Sequence, residues 1–181
     1  MSLQTFALQF AFLFAPLIHH QMIEVEPGLY RGTDPKIKDL PKLQQQGFKT
    51  IVSFRTNDQP KKSLRASQLG IRWVNIPTGV FLNPTDQEFD DFRAVINDPK
   101  NLPCLMTCEV NMDRTLVYLA AHQMVDKGWT AAQIDREFKE AHQKVWWPPF
   151  RKYRETVANY AAKRRTPNSI ASTQDPSQGQ R

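Results

Sequence analysis

Apolar positions along the chain fall into two patterns: short β-branched runs, and longer stretches where they recur at helical spacing. An extended piece begins near Ile23 and closes on Leu29-Tyr30-Arg31-Gly32. Asp34-Pro35 then opens a helix through Leu40 and Leu43, which Gly47 stops. Residues 50–54 (TIVSF) read as a buried strand, residues 61–69 as a short helix ended by Gly70, and residues 71–76 (IRWVNI) as the next strand. Thr85-Asp86-Gln87-Glu88 is a capping box, so a helix starts there and runs to about Ile96. Residues 102–107 (LPCLMT) are a further apolar strand, and residues 114–127 an apolar helix before Gly128. Thr130-Ala131-Ala132-Gln133 is a second capping box, for a helix to about Ala141. A final helix covers residues 150–163 after Pro148-Pro149. No internal repeat interrupts this order. Strands separated by helices predict an α/β fold: a single domain with a mostly parallel central sheet flanked by helices. Ligands of such sheets bind at the carboxyl ends of the strands.

The two ends differ from this core. Residues 6–18 (FALQFAFLFAPLI) form an apolar run too short for a spanning helix, which needs roughly 20 residues. The run has the length of a signal-peptide core, yet no Lys or Arg precedes it and no A-x-A site follows. Export, a tether touching the membrane through residues 5–18, and an extra helix on a cytoplasmic domain remain open. The expected organisation is an apolar segment over residues 1–21, a folded domain over 22–163, and a disordered polar and basic tail over 164–181.

With 181 residues, 40% hydrophobic, the chain suits one core of ordinary size. The formal charge is +6, and half of the excess sits in residues 163–181. This balance suits an anionic substrate or a membrane surface, with a solvated tail as the plainer reading. No aromatic-interleaved basic stripe points to nucleic acid. Cys104 and Cys108 make no disulfide framework, and no Cys/His cluster suggests a metal, so neither metal nor cofactor is expected.

The candidate chemistry lies where the strand over residues 102–107 runs into Cys108-Glu109-Val110-Asn111-Met112-Asp113-Arg114-Thr115 and then a helix. A loop between strand and helix turns its amides toward one spot, and the helix N-terminus adds positive dipole there. Such a cradle favours the thiolate of Cys108. Arg114 returns a guanidinium fork to the same anion, and Thr115 offers a hydroxyl to the sulfur. Nucleophile, cradle and fork together specify phosphoryl transfer through a thiophosphate intermediate. Glu109, Val110, Asn111 and Met112 would line the phosphate seat. The competing reading is a buried cysteine at a strand end with a surface arginine nearby.

This loop resembles that of the cysteine-dependent phosphatases, the protein-tyrosine and dual-specificity superfamily, which reads His-Cys-x-x-Gly-x-x-Arg-Thr/Ser. Here Thr107 stands for the His and Asn111 for the Gly. Asn is the best substitute where a left-handed backbone is needed. Gly28-Leu29-Tyr30-Arg31-Gly32 is similar to the entry strand of small dual-specificity-like members, and residues 47–55 (GFKTIVSFR) to a strand of theirs. The resemblance implies a single α/β domain with a C-x5-R loop between strand and helix, Cys108 as nucleophile, Arg114 on the phosphate and Thr115 assisting thiophosphate breakdown. It also implies a general-acid Asp near residues 79–83 (GVFLN), which hold no carboxylate. Asp113 is the first replacement, by likeness to the Asp-Arg-Thr ending of phosphoinositide phosphatases, and Asp86 the second. An acid is worth 10²–10⁴-fold with a poor leaving group.

Cys108-Glu109 and Arg55 resemble the phytase-like members, in which that Arg contacts substrate phosphate. The implied substrate is an inositol polyphosphate or a phosphoinositide. The alternatives are a phosphoprotein, or a weak pseudophosphatase that binds phosphorylated ligands without turnover. A monomer is expected. Lys61, Lys62 and Arg65 form a small basic face close to Arg55. His122 reads as a packing residue, and His142 with Trp146-Trp147 as an aromatic anchor of the last helices.

Overall fold

The computed structural model describes residues 22–79, 83–109, 114–140 and 148–165. Among the described residues, five strands form one sheet: β1 (Ile23–Glu26), β2 (Leu29–Thr33), β3 (Thr50–Ser53), β4 (Arg72–Asn75) and β5 (Cys104–Cys108), in the order β1-β2-β5-β3-β4. β1 runs antiparallel to β2, and every other neighbouring pair is parallel. The α-helices among the described residues are α1 (Leu40–Gln45), α2 (Pro60–Gln68), α3 (Asp86–Ile96), α4 (Arg114–Asp126), α5 (Ala131–Glu140) and α6 (Pro148–Arg165).

The central strand β5 is buried throughout, and its alternate side chains serve two cores. Cys104, Met106 and Cys108 join Val52, Phe54 and the apolar faces of α3 to α6. Leu105 joins Ile51, Leu40, Leu43 and Ala66 on the opposite face. This two-sided cover is why β3 and β5 lack polar alternation. On the larger side Tyr118 stacks on Phe54 with centroids 4.1 Å apart, between Phe89 and Phe92. Such pairs add about 0.5–1.5 kcal/mol each beyond their buried area.

Both capping boxes form. Thr85 Oγ1 accepts from the Glu88 amide while Glu88 Oε2 accepts from the Thr85 amide. Thr130 and Gln133 repeat the exchange at α5.

Four departures from the sequence expectation bear on the topology or the element ends. The extended piece from Ile23 is a hairpin, because Gly28 takes a left-handed φ of +77° and turns the chain. The helix expected from Asp34-Pro35 begins later, as a 3-10 turn (Ile37–Asp39) leading into α1, because the Asp34 amide donates to Cys108 O at 3.1 Å. β5 begins at Cys104 rather than Leu102, since Pro103 has no N–H for the ladder. α6 extends to Arg165, so Arg164 and Arg165 belong to a helix and not to a tail. Both are held: Arg164 pairs with Asp90, and Arg165 donates to Met124 O and, at 2.7 Å, to Trp129 O.

No helix among the described residues is long and apolar enough to cross a membrane. Residues 1–21, most of the expected tail, Ala141, His142, Trp146 and Trp147 lie outside the described residues.

Candidate active site

The carboxyl ends of β2, β5 and β3 meet at one edge of the sheet. The Asp34 amide donates to Cys108 O at 3.1 Å, and the Phe54 amide to Thr107 O at 2.9 Å. Residues 34 and 55 therefore flank Cys108 from its two neighbouring strands. Cys108 ends β5, buried, with Sγ 4.0 Å from Thr115 Oγ1 in the first turn of α4. Thr107, at the family's His position, is buried and donates its hydroxyl to Val52 O at 3.4 Å.

Arg114 opens α4 and is only 7% exposed. Its Nη1 donates to two backbone carbonyls, Phe54 O at 2.8 Å and Thr78 O at 3.1 Å. Nη2 lies 3.9 Å from Glu109 Oε2. The guanidinium is thus fixed through Nη1, with Nη2 turned toward the Glu109 carboxylate. Glu109 also reaches Arg55: Oε1 lies 3.6 Å from Arg55 Nη1. One carboxylate therefore joins the guanidiniums of Arg55 and Arg114.

A second carboxylate extends this chain of charges. Asp34 Oδ2 accepts from Lys62 Nζ at 2.6 Å and from Gln59 Nε2 at 3.1 Å, and lies 3.6 Å from Arg55 Nη1. Its side chain is only 10% exposed. The order Lys62, Asp34, Arg55, Glu109, Arg114 alternates in sign along the rim of the site. Arg31 on β2, opposite Met106, adds a further cation on the face that holds Cys108. Burial draws its pKa down, against the opposing pull of Glu137 and Cys108.

The structure thus brings together Cys108, Arg114, Thr115, Glu109 and Arg55. Asp86 begins α3 and lies 3.0 Å from Lys163 Nζ of α6, with its side chain 39% exposed. Asp113, Val110, Asn111 and Met112 lie outside the described residues. Lys62 of the small basic face turns to Asp34, whereas Arg65 turns to Gln68. Sequence reading missed Asp34, Thr78 and Tyr118. The sequence held one signal for Asp34, a carboxylate directly after the entry strand. Cys104 is fully buried on the same strand as Cys108, and burial pushes its thiol up to about 12. No His/Cys/Asp/Glu group among the described residues has the arrangement of a metal site.

His122 is 3% exposed and lies between two carboxylates: Nδ1 is 2.8 Å from Asp126 Oδ2, and Nε2 is 3.2 Å from Glu26 Oε1. Arg93 bonds the same Asp126, along with Tyr160 at 2.9 Å. This network ties β1, α3, α4 and α6 together toward the end of α4 opposite Arg114. Burial opposes the charge on Asp126, yet hydrogen bonds from Arg93, His122 and Asn97 outweigh it and hold that carboxyl well below the usual range.

The chain is 28% identical over 110 residues to the dual specificity protein phosphatase TpbA of Pseudomonas aeruginosa, a match covering 60% of this chain and 48% of that protein. The chain therefore spans about half the length of the curated relatives that it matches. Its fold is similar to the crystal structure of P. aeruginosa TpbA, with a TM-score of 0.65 at 22% identity, covering 82% of this chain and 93% of that one. It is equally similar to the core catalytic domain of the PP-IP phosphatase SIW14 from S. cerevisiae, with a TM-score of 0.65 at 19% identity over 77% and 84% of the two chains. A family model described as "DSP-PTPase phosphatase fused to NAD+ Kinase" matches residues 19–147, and the chain belongs to that family, within the cysteine-dependent phosphatase superfamily.

Proposed function

We propose that the protein hydrolyses phosphomonoesters through a cysteinyl-phosphate intermediate. The observation that carries this reading is Arg114: a buried guanidinium held by two carbonyls beside the strand end that bears Cys108, with its other edge turned to a carboxylate. An arginine fixed in this way is already oriented for a phosphate before substrate arrives.

The Cys108 thiolate attacks phosphorus, forming the S–P bond as the P–O bond to the leaving group breaks. A carboxylic acid gives its proton to the departing oxygen. Asp113 is the first choice for this acid and Asp86 the second. Water then attacks phosphorus as it gives a proton to the carboxylate left by the first step, the S–P bond breaks, and inorganic phosphate leaves. The Thr115 hydroxyl, near the sulfur, stabilises the thiolate that departs in this second step. Arg114 and the amides of residues 109–114 bind the phosphoryl oxygens throughout.

The substrate favoured is an inositol polyphosphate or a phosphoinositide. Arg55 and Lys62, linked by Asp34 beside the cysteine, support a substrate with more negative charge than one phosphate. Similarity in fold to a phosphatase described as acting on PP-IP is consistent with this choice. The second reading, a protein phosphatase, rests on the likeness to relatives named for dual specificity.

The test is phosphate release by the purified protein from inositol hexakisphosphate, phosphoinositides, a phosphotyrosine peptide and an activated aryl phosphate, beside Cys108→Ser. Release from the inositol compounds that Cys108→Ser abolishes is the expected result. Release from the peptide alone moves the protein to the second reading. Binding without release from any of the four leaves a phosphate-binding pseudophosphatase.

A further inference from the structure

The anchor of Arg114 has a support of its own. Thr78 Oγ1 donates to Ile76 O at 3.1 Å, and lies 2.7 Å from Tyr118 Oη. A threonine hydroxyl has one proton. That proton goes to Ile76 O, so Tyr118 is the donor to Thr78. Tyr118 lies on α4, one turn beyond Arg114, and is fully buried against Phe54, Phe89 and Phe92. Burial also raises the Tyr118 pKa, which keeps its proton in place. Thr78, 2% exposed, is thus held through its side chain while its carbonyl accepts from Arg114 Nη1 at 3.1 Å. The other carbonyl on Nη1 belongs to Phe54, the residue whose ring lies flat on Tyr118.

Resting on the phosphatase reading above, we infer that Tyr118 and Thr78 are positioning residues for Arg114. The Tyr118 hydroxyl sets Thr78, the Thr78 carbonyl sets one edge of the guanidinium, and the other edge is thereby aimed at the phosphate. Both carbonyls on the guanidinium are referred to one tyrosine, Thr78 by hydrogen bond and Phe54 by stacking. α4 carries Arg114 and its template together.

Tyr118→Phe removes one oxygen and keeps the ring in its aromatic cluster. Thr78→Val removes the hydroxyl at nearly constant volume, and Thr78→Ser restores it. Tungstate affinity by calorimetry reads the anion seat without turnover, and steady-state hydrolysis of an aryl phosphate gives KM and kcat separately. Both are measured well below each variant's unfolding temperature. Loss of one buried hydrogen bond corresponds to about 3–10-fold. The expected result is that Tyr118→Phe and Thr78→Val each bind tungstate about 3–10-fold more weakly, with KM raised and kcat lowered, whereas Thr78→Ser matches the parent protein. Wild-type affinity and kinetics in Tyr118→Phe and Thr78→Val, with or without a lower unfolding temperature, would overturn the positioning role. A loss in Thr78→Ser equal to that in Thr78→Val would overturn it too. A parent protein that neither binds tungstate nor turns over the aryl ester would instead sink the phosphatase reading itself.

Discussion

Glu109 Oε2 lies 3.9 Å from Arg114 Nη2, on the edge of the guanidinium that the Phe54 and Thr78 carbonyls leave open. Its other oxygen faces Arg55. On the proposed function, the carboxylate stands where a phosphate would draw on both cations, and substrate would have to displace it. Glu109→Gln removes this competitor. The expected outcome is tighter inhibition by inorganic phosphate and a lower KM for an aryl phosphate, each by about 2–5-fold, the range for a half-exposed ion pair. A weaker phosphate inhibition in the variant would contradict the competition.

The proposed mechanism places Thr115 in the second chemical step rather than the first. Thr115→Ala is expected to keep a burst of product with an activated aryl phosphate and to slow the steady state by about 10-fold, equivalent to roughly 1.4 kcal/mol. Thr115→Ser keeps the hydroxyl near Cys108 Sγ and is expected to turn over like the parent. Rapid-quench kinetics separate the two phases. Equal loss of burst and steady state would place Thr115 in the first step.

Asp126 makes the stability of the protein depend on acid. Its carboxyl is held below the usual range in the folded state, so it binds a proton less readily folded than unfolded. The stabilisation is whole above the unfolded carboxylate pKa of about 4. It is lost as pH falls from there through the lower folded value. Asp126→Asn removes acceptors from buried His122 and Arg93, and is expected to cost about 1–3 kcal/mol in urea unfolding at about pH 7. The gap between variant and parent should shrink at about pH 3. A gap constant over that interval would show that the carboxylate charge is not what stabilises.

Cys104 is shielded by its position in the sheet. Cys104 faces the larger core, and burial raises its thiol to about 12, so the thiolate is scarce at neutral pH. Iodoacetamide treatment of the native protein, read by peptide mass spectrometry, is expected to leave Cys104 unlabelled, with labelling appearing only in denaturant. Labelling of Cys104 in the native protein at the rate seen in denaturant would contradict this.

What the sequence made legible was local. The apolar runs of β3 and β5, both capping boxes and the strand–loop–helix around Cys108 are each written within about ten residues, and period and cap chemistry report them directly. The rest of the site was not legible, because it is assembled across strands. Arg114 finds its carbonyls 60 and 36 positions back along the chain, and a backbone carbonyl carries no residue-type signal. Asp34 looked like a helix opener because Asp-Pro is a common start. Its amide is instead used by β5, and that pairing is set by sheet order, which periodicity does not encode. His122, read as a packing residue, is buried as that reading requires, but its two carboxylate partners come from β1 and from one turn further along α4.

Arg114 is also a tie between segments. Its Nη1 closes the gap between the chain leaving β3 and the chain leaving β4. Replacing it with Ala would strip two carbonyls of their donor, at about 1–3 kcal/mol for each left buried and unpaired. An Arg114 variant would therefore confound lost chemistry with a loosened sheet edge. Cys108→Ser changes a single atom and spares that tie, which makes it the cleaner inactive control for trapping a bound substrate.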